Sequence, residues 1–466
     1  MNKSLNVIIL AAGKGTRLGI DTPKPLLPLQ NGTLIGNVLG QVLGLEKILK
    51  REINISIIVG HKKNLVIDYI NTFKIKNKIE FIYQDQQLGT GHAIQEYFLQ
   101  TKLNCQDILI LCADTPLIET ASLVDLERNK LEKNLKAIGL SFNEDNPFGY
   151  GRILRHKNYS GVKIVEQKDA SPEEQKITEV NSGIYLVDKK YLKEKILNLN
   201  TNNKSNEFYL TDIMDFSNPC DFLLADNFSK QFLGVNTMEQ LAEAEHISRM
   251  KVIKEHLKKG VRIIDLNTTY IDSTVEIESG VTIMPNVHLR GNSIIKNNVS
   301  IETGSIIIDS ILHEEVQIQP YSIIEKSEVF KNSVIGPFAR LRPESKIGAN
   351  CKIGNFVETK KSFLDEGVKV SHLSYVGDAE IGKNSNIGCG FITCNYDGKN
   401  KSKTKIGDNC FIGSDSQMIA PVEIGNNCYV ASGSTINQNL KDGDFAISRS
   451  RQITKEGMAK KFIKNK

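Results

Sequence analysis

The sequence predicts a mixed α/β protein with an N-terminal α/β domain, a connecting helix and a C-terminal parallel β-helix. Three observations lead to this prediction. Short apolar strands alternate with helical stretches up to about residue 236, a helix-start motif follows at Thr237, and apolar residues recur every six positions beyond about residue 262. We therefore expect domains over residues 1–236 and 261–466, joined by a helix over 237–260.

The first half contains short aliphatic segments that we predict to be buried strands, at 7–10, 55–59, 80–83 and 108–111. Helical patterns over 34–49 and 92–99 lie between them. This alternation indicates a largely parallel sheet covered by helices. Ligands bind such sheets at the carboxyl ends of the strands, so we expect the functional residues in the loops that follow the strands.

The connecting helix is predicted from its start and stop signals. Thr237 and Gln240 form a capping-box pattern, in which the two side chains satisfy free amide groups at the helix N-terminus. Gly260 is a typical residue to end the helix. We expect this helix to join the two domains.

The second half is defined by a hexapeptide repeat. An apolar residue recurs at six-residue intervals in the run Ile406, Ile412, Met418, Ile424, Val430 and Ile436. This period is typical of a parallel β-helix, in which stacked coils share one continuous core. We expect the isoleucines to point inward and the glycines that often follow them to permit tight corners. Three cysteines that lie four positions after an isoleucine are also expected in the core, namely Cys351, Cys410 and Cys428.

The composition argues against several classes of protein. The 59 Lys and Arg residues against 54 Asp and Glu leave a net charge of +5, which is too small to indicate a nucleic-acid partner. No apolar run approaches ~18 residues, so we expect no membrane span. The eight cysteines include no C-x-x-C pair, and the N-terminus has no export signal. We therefore expect a cytoplasmic protein with reduced cysteines.

A glycine-rich loop with the sequence LAAGKGTRL covers residues 10–18 and leaves the first predicted strand. Its two glycines allow backbone N–H groups to approach a polyphosphate, and Lys14, Arg17 and Lys24 supply positive charge. The loop is neither the dinucleotide-binding G-x-G-x-x-G nor a Walker A motif, because no Gly-Lys-Ser/Thr ends it. It predicts a phosphate-binding site.

The segments 10–17 and 23–26 resemble the signature of sugar-nucleotide pyrophosphorylases, which join a sugar 1-phosphate to a nucleoside triphosphate. Further motifs occur in the order seen in the GlmU family, bacterial bifunctional enzymes that make UDP-N-acetylglucosamine for cell-wall precursors. These motifs are Gln84 with 87–93, 149–153, 165–170, 181–184 and 234–236. The resemblance continues through the hexapeptide half and covers nearly the whole chain.

The resemblance implies that the first domain is a Rossmann-like nucleotidyltransferase domain with a uridylyl-transfer site for UTP and N-acetylglucosamine 1-phosphate. The nucleotide would be held by Leu10, Ala11, Ala12, Gly13, Lys24, Gln84, Gly89 and Thr90, and the N-acetylglucosamine part by Gly151, Glu166 and Asn181. Asp114 and Asn236 would ligate Mg²⁺, and Arg17 and Lys24 would be catalytic cations on phosphate oxygens. No general base is required, because the anionic sugar phosphate can attack the α-phosphorus of UTP in line.

The resemblance also implies an acetyl-transfer site in the second domain. His372 would act as general base on the amine of glucosamine 1-phosphate, which would be bound by Arg342, Lys360, Tyr375 and Asn386. Acetyl-CoA would be bound by Cys389, Asn395, Tyr396, Ser414, Ser432 and Arg449. The family further implies a left-handed β-helix and a homotrimer formed through it, with acetyl-CoA between subunits. The six-residue period alone does not determine the hand.

The chain departs from the family pattern at a few positions. Ala113 stands before Asp114 where the family usually has Gly, and an added methyl group could crowd the nucleotide. Pro25 belongs to the general nucleotidyltransferase pattern. The sequence therefore specifies the reaction class more strongly than it specifies uridine as the nucleotide. Cys389 and Ser432 stand where the family typically has Ala, which predicts altered packing around CoA rather than loss of binding.

Two other functions remain open. One is a single-activity sugar-1-phosphate nucleotidyltransferase with a purely structural β-helix, which Ala113 and the 23–28 segment favour. The other is a non-enzymatic scaffold similar to the catalytic-like subunit of a translation-initiation exchange factor. The joint presence of Lys24, Asp114, Asn236 and His372 favours the bifunctional enzyme.

Overall fold

The computed structural model describes residues 4–13, 15, 18–73, 75, 79–156, 161–225 and 230–463. The chain divides into two compact units, Met1–Ser248 and Arg249–Lys466. The border between the units lies inside the helix that follows Thr237. Among the helices of the described ranges, none is both long and apolar enough to cross a membrane.

The first unit is a twisted sheet with helices packed against it. Its strands are β1 (Leu5–Ala11), β2 (Pro28–Leu29), β3 (Gly32–Thr33), β4 (Ile53–Val59), β5 (Ile79–Tyr83), β6 (Asp107–Cys112), β7 (Ala137–Asn143), β8 (Arg152–Arg155), β9 (Val162–Val165), β10 (Glu179–Asp188) and β11 (Cys220–Leu224). Its helices are α1 (Leu34–Leu49), α2 (Lys63–Asn71), α3 (Thr90–Gln100), α4 (Thr120–Glu132) and α5 (Lys189–Leu197). The strand order is β11-β7-β10-β6-β1-β4-β5; β8 pairs with β10, β9 pairs with β8, and β2 pairs with β3.

The parallel part of this sheet brings the predicted functional loops to one edge. Strand β1 pairs in parallel with β4 and β6, and β4 pairs in parallel with β5. Successive side chains of β1 enter different apolar clusters, since Val7 and Ile9 pack on the side of α1 and Ile8 packs on the side of α3. The four predicted strands are confirmed, and each begins one or two residues before its predicted start.

The connecting helix, α6 (Met238–Lys258), begins with the predicted capping box. The Gln240 N–H donates to Thr237 Oγ1 at 3.2 Å. In return, Gln240 Oε1 accepts from the N–H groups of Thr237 at 3.2 Å and Asn236 at 2.7 Å. The cap therefore also holds the backbone of Asn236. After the helix, Gly260 has a φ of +86°, in the left-handed region that favours glycine.

The second unit is a parallel β-helix whose coils present three strand faces. The first face contains Arg262–Ile263, Thr282–Ile283, Ser300–Ile301, Gln317–Ile318, Val334–Ile335, Asn386–Ile387, Phe411–Ile412, Tyr429–Val430 and Phe445–Ala446. The second contains Tyr270–Ile271, His288–Arg290, Ile306–Ile308, Ile323–Glu325, Arg340–Leu341, Ile392–Cys394, Gln417–Ile419 and Thr435–Ile436. The third contains Glu276–Ile277, Ile294–Ile295, Ile311–Leu312, Glu328–Val329, Lys346–Ile347, Phe363–Leu364, Ala379–Ile381, Thr404–Ile406 and Val422–Ile424. Two longer strands, Lys352–Lys360 and Lys369–Gly377, turn a corner and belong to both the first and the second face.

Stacking of the coils buries the residues of the hexapeptide period in one core. Ile347 and Ile412 are fully buried, and Cys351, Cys410 and Cys428 are at most 2% exposed. The predicted interior position of the isoleucines and of these cysteines is therefore confirmed, as is the predicted fold class.

The expected role of the glycines that follow the isoleucines is wrong. Gly348, Gly388 and Gly413 do not have a left-handed backbone; instead, a methyl group on them would lie 2.4–2.7 Å from backbone atoms of the next coil. These glycines therefore permit close stacking of coils rather than a corner. The left-handed corner positions are often occupied by asparagine, which tolerates this conformation: Asn286, Asn298, Asn332, Asn350, Asn384, Asn409 and Asn427.

Candidate active sites

A cleft of about 300 Å³ lies at the carboxyl ends of β1 and β6 in the first unit. Nine of the residues predicted from the sequence line it, namely Leu10, Ala11, Ala12, Gly13, Lys24, Gln84, Gly89, Thr90 and Asp114. Ala113 also lines the cleft but is only 2% exposed, so its methyl group presents little surface to a ligand. Arg17 and Lys14, which the sequence also predicts for phosphate binding, lie outside the described residues.

The loops around the cleft are held by short backbone contacts. The N–H of Ala113 donates to the carbonyl oxygen of Leu10 at 3.0 Å, which joins the ends of β6 and β1. Gly89 has a φ of +115°, and a methyl group there would lie 2.5 Å from the carbonyl oxygen of Phe208. A side chain at this position would force the loop away from Phe208, so the turn into α3 requires glycine.

Three polar side chains meet at one end of the cleft. Lys24 Nζ lies 2.5 Å from Asp114 Oδ2 and 2.8 Å from Asn236 Oδ1. Lys24 begins the short turn Lys24–Leu26, and the carbonyl oxygen of Asp114 accepts from the N–H of Val235 at 2.8 Å. A carboxylate and an amide oxygen therefore converge on one positive charge. Oxygen donors of these two kinds are suited to a hard divalent cation such as Mg²⁺.

A second group of predicted residues lies on the β8–β10 side of the sheet. The N–H of Asn181 donates to the carbonyl oxygen of Gly151 at 2.9 Å, and a methyl group on Gly151 would lie 3.5 Å from Glu166 Oε1. Gly151, Glu166 and Asn181 therefore come together as predicted. Two of their neighbours, Thr211 and Tyr185, were not predicted from the sequence. Thr211 donates to Glu166 Oε1 at 3.2 Å, and Asn181 Nδ2 donates to the Tyr185 hydroxyl at 2.6 Å.

Burial sets the ionisation of this group. It raises the pKa of Glu166, and the hydrogen bond from Thr211 acts in the opposite direction. Burial also raises the pKa of the Cys112 thiol to about 12. Cys112 Sγ lies 3.8 Å from the carbonyl oxygen of Gly183. At neutral pH Cys112 is therefore an uncharged packing residue between the cleft and the group of Gly151, Glu166 and Asn181, and it is not a nucleophile.

The predicted base of the second unit has a defined partner. His372 lies opposite Asn355 in the pairing of Lys352–Lys360 with Lys369–Gly377, and its Nδ1 is 2.9 Å from Asn355 Oδ1. An amide oxygen only accepts hydrogen bonds, so Nδ1 carries a proton, and in the neutral ring the free lone pair lies on Nε2. This is the tautomer that a general base needs. Asn355 was not predicted from the sequence, although it lies one coil, or 17 residues, before His372.

Cationic side chains lie close together at the adjoining strand ends. Arg342 Nη1 lies 2.7 Å from Glu358 Oε1, and Glu358 is aligned with Tyr375 on the next coil. Nearby cations lower the pKa of Lys360, with Lys401 contributing most and Arg342 next. Lys401 was not predicted, although it lies in the segment 397–404 that interrupts the hexapeptide period. Cations this close together are suited to a phosphate group.

The predicted acetyl-CoA residues lie on neighbouring coils. Asn395 Nδ2 donates to Asp378 Oδ2 at 2.5 Å, and Tyr396 pairs with Lys401 across the loop. Arg449 Nη1 donates to the carbonyl oxygen of Ser432 at 2.7 Å. Ser414 and Ser432 follow Gly413 and Ala431 on successive coils, and Cys389 is exposed. Asn386 is aligned with Lys369, on the face beside the His372 strand.

The fold and these two groups of side chains define a transferase with a nucleotidyltransferase domain and a hexapeptide-repeat domain. The family model "Nucleotidyl transferase" matches residues 6–216, and "Bacterial transferase hexapeptide (six repeats)" matches residues 403–438. The chain is 41% identical to the "Bifunctional protein GlmU" of Clostridioides difficile (strain 630) over 462 residues, which cover 98% of each chain. It is 40% identical to that of Listeria monocytogenes serotype 4a (strain HCC23) over 458 residues, which cover 97% of each chain.

The chain belongs to the GlmU family. The predicted bifunctional transferase is thereby confirmed. The two matched domains support both nucleotidyl transfer and acetyl transfer in the synthesis of UDP-N-acetylglucosamine.

Proposed function

We propose that the second unit transfers an acetyl group from acetyl-CoA to glucosamine 1-phosphate and that the first unit then transfers a uridylyl group from UTP to the N-acetylglucosamine 1-phosphate. The observation that carries this proposal is the convergence of Lys24, Asp114 and Asn236 at one end of a strand-end cleft. A site for joining two anionic phosphates needs such a concentration of charge and oxygen ligands.

Asp114 and Asn236 are the residues that would hold Mg²⁺. Their fit is supported by the donor set, since their two oxygens already hold one cation, the Lys24 ammonium, at 2.5 and 2.8 Å. When bound, Mg²⁺ would neutralise charge on the phosphates of UTP. Lys24 would then contact a phosphate oxygen, and the Leu10–Gly13 backbone would approach the nucleotide. By resemblance, Arg17 supplies a further positive charge.

Gly151, Glu166 and Asn181 would hold the N-acetylglucosamine part. Close packing of Gly151 against Ile164 leaves a backbone surface without a side chain, because a methyl group there would lie 2.8 Å from Ile164 Cγ2. Asn181 is fixed from both ends, by the Tyr185 hydroxyl and by the N–H of Gly183 at 3.1 Å. A half-buried pair of polar side chains, Glu166 and Asn181, can distinguish sugar hydroxyl and N-acetyl groups by hydrogen bonding.

In the acetyl-transfer step, His372 Nε2 would remove a proton from the ammonium or attacking amine of glucosamine 1-phosphate. The nitrogen forms a bond to the thioester carbon, the carbon–sulfur bond breaks, and the proton taken from the amine by His372 passes to the sulfur, so that CoA leaves as the thiol. Asn355 supports this role because it holds the proton on Nδ1. Arg342 and Lys360 would bind the substrate phosphate, Tyr375 and Asn386 the sugar, and the predicted CoA residues the thioester.

We also propose a homotrimer built through the β-helix. An exposed aromatic ladder supports an interface between copies: Tyr321, Phe338 and Phe356 stack at 5.4 and 5.5 Å, and each is about half exposed. Three such side chains in contact form an apolar patch of a kind that subunit interfaces cover. UTP and acetyl-CoA are metabolites of the cytoplasm, which we propose as the place of action.

Two assays test the proposed function. UTP with N-acetylglucosamine 1-phosphate should release pyrophosphate, and acetyl-CoA with glucosamine 1-phosphate should release a free thiol. Activity in the first assay alone would leave a single-activity nucleotidyltransferase, and turnover only with another nucleotide would remove the uridine assignment. A single monomeric species in light scattering at assay concentration would contradict the trimer.

A further inference from the structure

The side chain of Gln84 is a buried polar group in the wall of the first cleft. It is 4% exposed and follows β5 directly. Gln84 Nε2 lies 3.1 Å from the carbonyl oxygen of Gly89 and 3.1 Å from His92 Nδ1. Two different elements therefore contact the same amide nitrogen, the glycine turn before α3 and the first turn of α3 itself.

The chemistry of the two partners determines the orientation of the Gln84 amide. A carbonyl oxygen can only accept, so the atom that faces Gly89 is the NH₂ group. Its second hydrogen is directed to His92 Nδ1, which must therefore be the unprotonated ring nitrogen. The remaining ring nitrogen, His92 Nε2, lies 3.4 Å from Glu96 Oε1 one helical turn along α3. That carboxylate favours the tautomer with the proton on Nε2.

Both hydrogens of the Gln84 amide are thus occupied, and the free capacity of this side chain is its oxygen. Among the described residues, no hydrogen-bond donor contacts Gln84 Oε1. This oxygen is also not one of the fully buried polar atoms that lack a hydrogen-bond partner. The cleft wall therefore offers a ligand an acceptor whose exchange with the NH₂ group is opposed by both the Gly89 carbonyl and His92. Rotation of the amide by half a turn would place its oxygen against the Gly89 carbonyl and the lone pair of His92 Nδ1.

We propose that His92, supported by Glu96, is a positioning residue for base selection in uridylyl transfer. The proposal rests on the proposed function of the first unit. Uracil presents an N3–H donor, which matches the fixed Gln84 oxygen, whereas the N3 of cytosine is an acceptor. If the amide could rotate freely, its NH₂ group would suit cytosine equally well. A locked amide therefore rejects the cytidine nucleotide by leaving two acceptors face to face.

The test compares His92→Leu with His92→Asn in the full-length protein. Leucine keeps apolar volume but has no acceptor, whereas the asparagine oxygen can take the place of Nδ1. We expect His92→Leu to lower the ratio of kcat/KM for UTP to kcat/KM for CTP by ~10-fold or more, because a rotated amide also accepts cytosine. We expect His92→Asn to keep the ratio within ~3-fold of the unsubstituted protein. A ratio unchanged by His92→Leu would overturn the proposal, as would equal loss with both substitutions.

Two further measurements keep the result interpretable. Acetyl transfer by the same preparation and its thermal unfolding report whether the variant is folded. If His92→Leu does not fold, Glu96→Leu replaces it, with Glu96→Gln as the control that keeps an acceptor for His92 Nε2; the ratio should fall by ~3-fold only in the former. If the unsubstituted protein does not prefer UTP to CTP, the proposed uridine assignment fails; if it does and His92→Leu retains that preference, only the role of His92 fails.

Discussion

The two candidate sites are assembled from sequence in different ways. Lys24, Asp114 and Asn236 lie 90 and 212 residues apart along the chain, and the parallel sheet brings their loops to one edge. Asn355 and His372 lie 17 residues apart, and simple stacking of consecutive coils places them side by side. The first site therefore depends on the topology of a whole sheet, whereas the second depends on the register of two neighbouring strands.

The two sites also differ in the surroundings of their lysine side chains. In the first unit Lys24 is paired with a carboxylate and an amide oxygen, so its charge is balanced before any ligand binds. In the second unit Lys360 is affected chiefly by other cations, which lower its pKa. An anionic substrate would therefore displace the contacts of Lys24 in the first site. In the second site it would displace the Arg342–Glu358 ion pair but would also relieve the repulsion between Lys360 and its neighbouring cations.

The largest expected effect comes from Asp114→Ala. This change removes the carboxylate proposed to hold Mg²⁺, so uridylyl transfer should fall by about four orders of magnitude. Pyrophosphate release measures the loss. Acetyl transfer, followed as free thiol in the same preparation, should be unaffected, because His372 lies in the other unit. Equal loss of the two activities would contradict two independent sites.

His372→Ala should affect the two activities in the opposite way to Asp114→Ala. Loss of the proposed base should lower kcat for acetyl transfer by ~10³-fold and leave pyrophosphate release intact. Asn355→Leu should lower the same kcat by ~10-fold with little change in KM, because the ring loses the acceptor that holds its proton on Nδ1. Asn355→Asp keeps an acceptor and should retain most of the activity. An unchanged acetylation rate in His372→Ala would remove the assigned base.

The coil stacking that forms the second site can be disrupted by substituting a residue that is not part of the site. A methyl group on Gly407 would lie 2.6 Å from Asn426 Oδ1 and 2.8 Å from the backbone nitrogen of Asn426. Gly407→Ala should therefore lower the free energy of unfolding of the β-helix by about 2 kcal/mol, measured by urea titration. Asn409→Gly, at a left-handed corner two residues away, should change it by less than about 1 kcal/mol. Similar effects of the two substitutions would argue against close coil contact as the reason for glycine.

The smallest expected effect concerns cation binding in the first site. If the Lys24 ammonium shares the oxygens of Asp114 and Asn236 with a divalent cation, Lys24→Met should tighten binding of Mn²⁺ to the substrate-free protein by ~10-fold. Calorimetry measures the affinity without any turnover. Lys24→Arg keeps the charge and should not tighten binding. Weaker binding of Mn²⁺ to Lys24→Met would show that the two cations do not compete.

Much of the fold could be predicted because its signals are local. The four aliphatic strands, the Thr237 capping box and the six-residue period each report the conformation of a short segment, and each is confirmed. The role of Gly407 and the equivalent glycines was not predicted correctly, because the atoms that exclude a side chain belong to the next coil. An explanation based on the backbone conformation of each glycine considers only neighbours along the chain and does not include this contact between coils.

The sequence by itself determined the two kinds of domain, the family and most residues of the candidate sites, because motifs and periodicity are properties of short segments. Tertiary structure decided how those residues are oriented. It holds the His372 ring through Asn355, the Gln84 amide through His92 and the Lys24 ammonium between two distant oxygens. The physical reason is that a hydrogen bond depends on the distance and direction between two groups, and only the packing of sheet and coils sets these.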